Sequence, residues 1–475
     1  MLSLWNTAES RFVESKDGCI LSPGPYIAHR GRNSTTPSPP ILFEQSCRQS
    51  LILCPGATIL VKDMFDIAGT KTTLCNRAWT EYHPVATQTA PCIQRLQDLG
   101  AWIVGKTRLN AMVIREKTME CVEFLAPYNP RGDGYQTSSG SSSGSCAGVA
   151  AYPWVDFAIG SDTNGSCRKP AYWNGCFAVR PTHGVLDTSG VASFCPFYDV
   201  PTFFGRDVSL LRKFATLWYG DSERLIKQPT RSAVGTRILY PTDYLPTQNA
   251  GQTRLIHSFV KDLESLLGIK RTELSLADMW RESKPDSVEE TDLAEYLKTA
   301  GTLPYYKDAV QIAKDFVDGY KQKFDKAAFL HRDLRWRWEM ADNVTPEERD
   351  EGWERIYTYR KWLLDNVFLE GTVLVLPVDE GKPSYRDDPP PPFGLLGGFS
   401  PLYVSPIAGT PKITAPISEI SYHSQISQRE EPLPISVSLA SAPGTDLALV
   451  DLMHKTLEHG KKPVKVQTGR SIFGG

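Results

Sequence analysis

The chain has 475 residues, 41% of them hydrophobic, enough to bury a large core. Lys plus Arg number 52 against 54 Asp plus Glu, a net charge of −2 that leaves no basic excess for gripping nucleic-acid backbones. Ten cysteines without a CxxC pair argue against a zinc framework or a disulfide scaffold and fit reduced thiols. The opening MLSLWNTAESRF lacks the basic start and apolar stretch of a secretory leader. No apolar run approaches the roughly 18 residues of a membrane span. These features predict a cytoplasmic protein with neither a nucleic-acid nor a membrane partner.

Taken in chain order, residues 1–50 are rich in Ser and Pro and read as an irregular extension. From there, short β-branched apolar runs alternate with helical patterns. Strands are predicted at Thr58–Val61, Trp102–Val104, Phe157–Ile159, Phe177–Arg180, Arg237–Tyr240, Val373–Pro377, Ile413–Pro416 and Ile435–Leu439. Helices are predicted at Thr89–Leu99, Ser145–Tyr152, Val208–Trp218, Thr253–Leu266, Tyr306–Phe329, Pro346–Asn366 and Leu447–Glu458. Runs apolar on both faces suit a sheet covered on both sides, so the expected fold is α/β with a mixed, largely buried central sheet. Residues 270–370 are charged, aromatic and mostly helical, and read as an insertion within one domain spanning 51–475. The four prolines of DDPPPPFGLLGG, from Asp387 to Gly398, make that stretch a loop.

The block SSGSSSGSCAGVAAYPWVDFAIGSDTNGSCRKP, from Ser138 to Pro170, holds the candidate chemistry. Three readings compete for it. A Gly/Ser linker separates folded units, whereas this block runs straight into a helix, a strand and a second turn. Gly140-Ser141-Ser142-Ser143-Gly144 matches a G-x-S-x-G nucleophile elbow and would make Ser142 the nucleophile, but an elbow needs a buried strand before it. What precedes it is the loop PYNPRGDGYQTS, and His183 alone offers itself as a following base. The second turn, from Gly160 to Ser166, follows the strand-like VDFAI. There Ser166 would project from a strand end, and the N–H groups of Thr163, Asn164, Gly165 and Ser166 could converge on a substrate oxygen. A plain tight turn is the alternative. A serine nucleophile needs a base, and Lys62 ends the apolar run ATILV, where burial would lower its pKa. A surface lysine at a strand end is the bland reading of the same residue.

Together these segments resemble the amidase-signature family. Gly140–Ser145 is similar to its Gly/Ser motif, GSDTNGSCRKPA at 160–171 to its nucleophile motif, and VKDMFDIAG at 61–69 to its lysine motif. LGAWIVGKT at 99–107 and GCFAVRPTHG at 175–184 extend the likeness, which spans about residues 50–460. The resemblance implies Ser166 as nucleophile, Ser141 in a cis peptide as proton bridge, and Lys62 as base. It implies an oxyanion hole at Thr163 to Ser166, and no metal or organic cofactor. Ser142, Asp162 and Arg168 are expected to support the site, the last two as a charge-assisted pair. Three departures stand out: Ser166 follows Ser141 by 25 positions, one more than usual; Asn164 replaces a glycine; and KTRLNAM lacks the acidic residue usual after the GKT segment.

SSSGS, VDF and RPTHG look most like the plant indole-acetamide hydrolase branch. The implied partner is therefore a small aryl or indolyl carboxamide, with aromatic walls expected from Trp154, Tyr172, Trp173, Phe393 and Phe399. A homodimer is compatible with this reading. The same triad would serve an acyltransferase that passes the acyl group to an amine or alcohol, and a non-catalytic subunit of a complex is the remaining alternative. Arg131-Gly132-Asp133 reads as a chance loop tripeptide, and Cys146 and Cys167 as packing residues.

Overall fold

A computed structural model describes residues 12–15, 18–21, 26–27, 56–114, 117–226 and 234–473, the first three segments as backbone only. The extension expected over residues 1–50 therefore lies largely outside the described residues. The strands, in chain order, are β1 (Phe12–Ser15), β2 (Gly18–Leu21), β3 (Tyr26–Ile27), β4 (Thr58–Lys62), β5 (Trp102–Thr107), β6 (Phe157–Asp162), β7 (Phe177–Arg180), β8 (Val200–Gly205), β9 (Val234–Pro241), β10 (Arg271–Leu274), β11 (Gly371–Leu376), β12 (Lys412–His423) and β13 (Glu430–Ser441). β1 and β2 pair with each other, and the other strands form one eleven-stranded sheet in the order β10-β9-β11-β13-β12-β7-β8-β6-β4-β5-β3.

Pairing is parallel among β5, β4 and β6 and among β10, β9 and β11, and antiparallel across the middle, so the sheet is mixed. Alternate residues feed opposite faces. Ile59, Val61, Ile159, Val179, Phe203, Val373 and Val375 join one core with helices Val208–Tyr219, Ala250–Leu267 and Asp446–His459. On the other face, Leu60, Ala158, Ala178 and Phe204 pack under helix Ser143–Ala151, while Leu239, Leu374 and Leu376 pack under the insertion. β6 and β11 are buried throughout, which is why their sequences run apolar without alternation.

The stretch read from sequence as an insertion, residues 270–370, holds helices Leu276–Ser283, Leu293–Tyr296, Leu303–Phe324, Arg332–Asp342 and Pro346–Asn366. The last starts on a capping box, with Thr345 and Glu348 satisfying each other's backbone N–H and Pro346 in the first turn. Its start also contains β10, which the sequence reading leaves inside a helical stretch. RTEL is charged because β10 is an outer, partly exposed strand that, among the described strands, pairs only with β9.

Two further differences have one cause, proline. β8 goes unpredicted because Pro201 demotes VPTFFG, yet the strand lies between β7 and β6 with Pro201 opposite Ser161. β12 and β13 run well past the predicted spans as a two-stranded ribbon, where Pro432 and Pro434 occupy an edge that no other described strand pairs. A register shift next to Pro416 absorbs the third proline.

Candidate active site

β4 brings Lys62 to its C-terminal end with no solvent exposure. Lys62 Nζ lies 2.7 Å from Ser141 Oγ and 2.7 Å from Ser161 Oγ. Both partners are neutral hydroxyls, so nothing in contact repays the cost of burying an ammonium. Burial pulls the Lys62 pKa from 10.5 to about 7, against the charges of Asp199 and Asp162, which raise it.

The Gly140–Ser141 peptide is cis, and Ser141 is 2% exposed. A Cβ added at Gly140 would lie 1.4 Å from Asn110 Oδ1, so glycine is required for this approach. Gly140→Ala is expected to displace the Ser141 loop and lose at least about 100-fold in turnover, the usual penalty for misplacing a reacting group by an ångström. Steady-state kinetics on soluble protein with native circular dichroism checks it.

Ser142 takes no part in the lysine contact. Its Oγ donates to Ser161 O at 3.1 Å and accepts from Ser161 N at 3.2 Å, and its N–H donates to Ser166 O at 3.2 Å. It staples the Ser141 loop to β6 and to the Ser166 turn. The elbow geometry is absent, since the segment before Ser142 is loop rather than strand. His183, its candidate base, is instead 2.9 Å from Pro196 O through Nε2.

Ser166 sits half-buried on the turn between β6 and helix Arg168–Asn174. Asp162, wholly buried, organises that turn. Its Oδ1 accepts from Gly165 N at 3.1 Å and its Oδ2 from Cys167 N at 3.0 Å. Arg168 adds a two-pronged pair at 3.1 and 2.8 Å, and Arg180 reaches Oδ1 at 3.1 Å. The expected Asp162–Arg168 pair is thus present, joined by an Arg180 that the motif reading misses.

This corrects the expected donor set. The Gly165 N–H is spent on Asp162, at a φ of +142° that favours glycine. Among the described residues, the N–H groups of Thr163, Asn164 and Ser166 make no backbone–backbone hydrogen bond. Asn164, standing where a glycine is usual, keeps a negative φ and donates its side-chain amide to the Tyr403 hydroxyl at 2.7 Å.

The aromatic walls are placed differently from expectation. Trp154 is exposed beside Thr58, at the far end of β4 from Lys62. Tyr172 is wholly buried with its hydroxyl at Gln252, and Trp173 donates Nε1–H to Asp379 at 3.0 Å. Phe393 stacks on Trp336 and Phe399 leans on Tyr244. Tyr403 does meet the Ser166 turn, through Asn164, and the Tyr198 ring packs on Tyr403 with its centre 6.0 Å away. Tyr198 in turn packs on Trp353 of the insertion, at 5.8 Å. A cavity of about 640 Å³ opens next to this cluster, between Phe197 and the insertion residues Asp308, Arg349, Trp353 and Tyr357.

Ser161, Arg180, Asp199 and Lys412 were not found from sequence. A serine and an aspartate ending the apolar strand FAIGSD are the signal that could have marked Ser161. Lys412, wholly buried on β12, donates to Pro401 O at 3.0 Å, and burial drives its pKa well below the ordinary value. The cysteines behave as expected, with burial pushing the Cys146 and Cys167 thiols upward. Arg131 is 1% exposed and donates to the carbonyls of Asn174, Gln467, Gly469 and Ser471, so the tripeptide is part of a packed joint. Among the described residues no cluster of His, Cys, Asp or Glu could hold a metal ion, and no helix is long and apolar enough to cross a membrane.

Comparisons with known proteins bear on the family and the fold. The chain is 35% identical to Amidase 1 of Oryza sativa subsp. japonica over 179 residues, which are 38% of this chain and 40% of that protein. It is 37% identical to Amidase 1 of Arabidopsis thaliana over 180 residues, 38% of this chain and 39% of that one. The match thus spans about two fifths of the length of these curated relatives. The fold matches Kluyveromyces lactis allophanate hydrolase with a TM-score of 0.68 at 17% identity, over 89% of this chain and 64% of that one. The Amidase family model matches residues 46–450, so strands β4 to β13, both serine turns and the helices of residues 270–370 fall within it, and the chain belongs to the Amidase family.

Proposed function

We propose that this protein hydrolyses the amide bond of a small carboxamide through an acyl-enzyme on Ser166. The observation that carries the reading is Lys62, fully buried, 2.7 Å from Ser141 Oγ, with its pKa drawn down to about 7. A lysine neutral near physiological pH has a lone pair to accept a proton. Lys62 takes the proton of Ser141 while Ser141 takes that of Ser166, and Ser166 Oγ bonds to the carbonyl carbon. The developing oxyanion meets the N–H groups of Thr163, Asn164 and Ser166. The C–N bond then breaks, and the proton held on Lys62 returns through Ser141 to the departing amine. Water repeats the sequence on the ester and frees the acid.

The acyl group is proposed to be aryl or indolyl. Tyr403 at Asn164, with Tyr198 packed on it, supports this, as does Leu402, whose Cδ1 is 3.5 Å from the position of an added Cβ on Gly165. The resemblance of SSSGS, VDF and RPTHG to the plant indole-acetamide hydrolase branch points the same way. Flat apolar groups gain most from such surroundings. In a panel of matched amides ranked by kcat/KM, aryl or indolyl acetamides are expected to lead. A tenfold advantage for glutamine or a long-chain fatty amide overturns the substrate class. Coupled product with an added amine, and no free acid, overturns hydrolysis itself.

A further inference from the structure

Asp199 immediately precedes β8, whose first residue, Val200, pairs with Asp162 at the end of β6. This register lays the Asp199 carboxylate against the Ser166 turn. Its Oδ1 accepts from the Thr163 hydroxyl, and its Oδ2 accepts from Ser193 Oγ at 2.5 Å and from Cys195 N at 3.1 Å. Among the described residues no lysine or arginine forms an ion pair with it, whereas Asp162 is occupied by Arg168 and Arg180. Three donors, one of them the side chain of a candidate oxyanion residue, are an elaborate mounting for a carboxylate that pairs with no cation.

We propose that Asp199 is a positioning residue for the reaction at Ser166: it fixes the Thr163 N–H through the Thr163 hydroxyl, and its charge offsets the one Lys62 gains during attack. The proposal rests on the amidase reading above. Of the groups that act on Lys62, Asp199 and Asp162 are the carboxylates, and Cys167 and Cys75 are thiols held in the core. Asp199 itself is faced by Lys62, Arg180, His183 and the Cys195 thiol. Asp162 already shares its charge with two guanidiniums, so Asp199 is the carboxylate left to answer a proton arriving on Lys62.

The test compares Asp199→Asn, Thr163→Val and Thr163→Ser on the best amide of the panel, with kcat, KM and the acid limb of the pH profile as readouts. Asp199→Asn is expected to lower kcat about 100-fold with KM little changed, and to move the acid limb to lower pH by at least about half a unit, because losing a nearby negative charge eases deprotonation of Lys62. Thr163→Val is expected to lower kcat similarly without moving the limb, and Thr163→Ser to retain most activity. The kcat losses of Asp199→Asn and Thr163→Val are expected to be less than additive when combined.

A normal kcat and an unmoved limb in Asp199→Asn overturn the proposal, as does a lower melting temperature with the limb in place. If Asp199→Asn fails to fold, Thr163→Val at wild-type turnover overturns it instead. A wild-type protein that cleaves no amide and takes no fluorophosphonate at Ser166 overturns the amidase reading, which is a different result from an active enzyme indifferent to Asp199.

Discussion

Replacing Ser166 with Ala, or Lys62 with Met, is expected to lower amide turnover by about three to six orders of magnitude, the range seen when a member of a cooperative catalytic set is removed. Ser166→Ala removes the atom that bonds to the carbonyl, and fluorophosphonate labelling should vanish from its peptide. Lys62→Met keeps the buried volume but removes the lone pair, so Ser141 has nowhere to send its proton. In the wild type, turnover should rise with pH through an apparent pKa near 7, because Lys62 must be neutral to act. Labelling at Ser142, or a Lys62→Met variant within tenfold of wild type, would sink the assignment.

The same lysine leaves a mark on stability. Its folded-state pKa, about 7, lies below the ordinary 10.5. Between those values the unfolded chain binds a proton that the folded protein does not, so stability gained from this group rises with pH across that window. Below pH 7 the full cost of burying the group is present. Lys62→Met should therefore melt above wild type at pH 6, with the gap closing toward pH 10.

Asp162→Asn is expected to destabilise the fold by about 3–5 kcal/mol, the cost of removing one partner from a buried ion pair. Arg168 and Arg180, both without side-chain exposure, would lose their counter-charge together. An amide has one carbonyl oxygen where the carboxylate has two, so either the Gly165 or the Cys167 N–H would also lose its acceptor. Burial raises the Asp162 carboxyl, but the two arginines outweigh it and hold the group well below the ordinary carboxylate range. Its contribution is therefore fully present above the unfolded carboxylate value of about 3.9 and is lost as the pH falls from there through the lower folded-state value. Chemical denaturation at pH 7 measures the difference, and a loss under about 1 kcal/mol would mean that the cluster is replaceable by neutral hydrogen bonds.

The sequence by itself determined the mixed α/β fold and the Asp162–Arg168 pair, and its resemblance to a family pointed to Lys62, Ser141 and Ser166. These features are written in short segments. Lys62 closes the apolar run ATILV, and Asp162 and Arg168 lie six positions apart around one tight turn. Gly140 and Gly165 mark places where the backbone itself approaches a neighbour or takes a positive φ.

What only the tertiary structure decided are contacts between segments distant in the chain. Ser161 meets Lys62 across 99 positions, and Asn164 meets Tyr403 across 239. Asp199 reaches Thr163 because β8 folds back antiparallel on β6, a pairing that Pro201 hides from any strand pattern. The aromatic walls went astray for the same reason. Trp154 is close to the serine motifs along the chain, but it lies at the N-terminal end of the parallel neighbours β4 and β6 while Lys62 and the Ser166 turn lie at their C-terminal end, and a strand of five or six residues separates those ends by about 15–20 Å. Sequence proximity sets which residues share a turn; which rings face a substrate depends on how the strands are ordered, and no short stretch of sequence encodes that order.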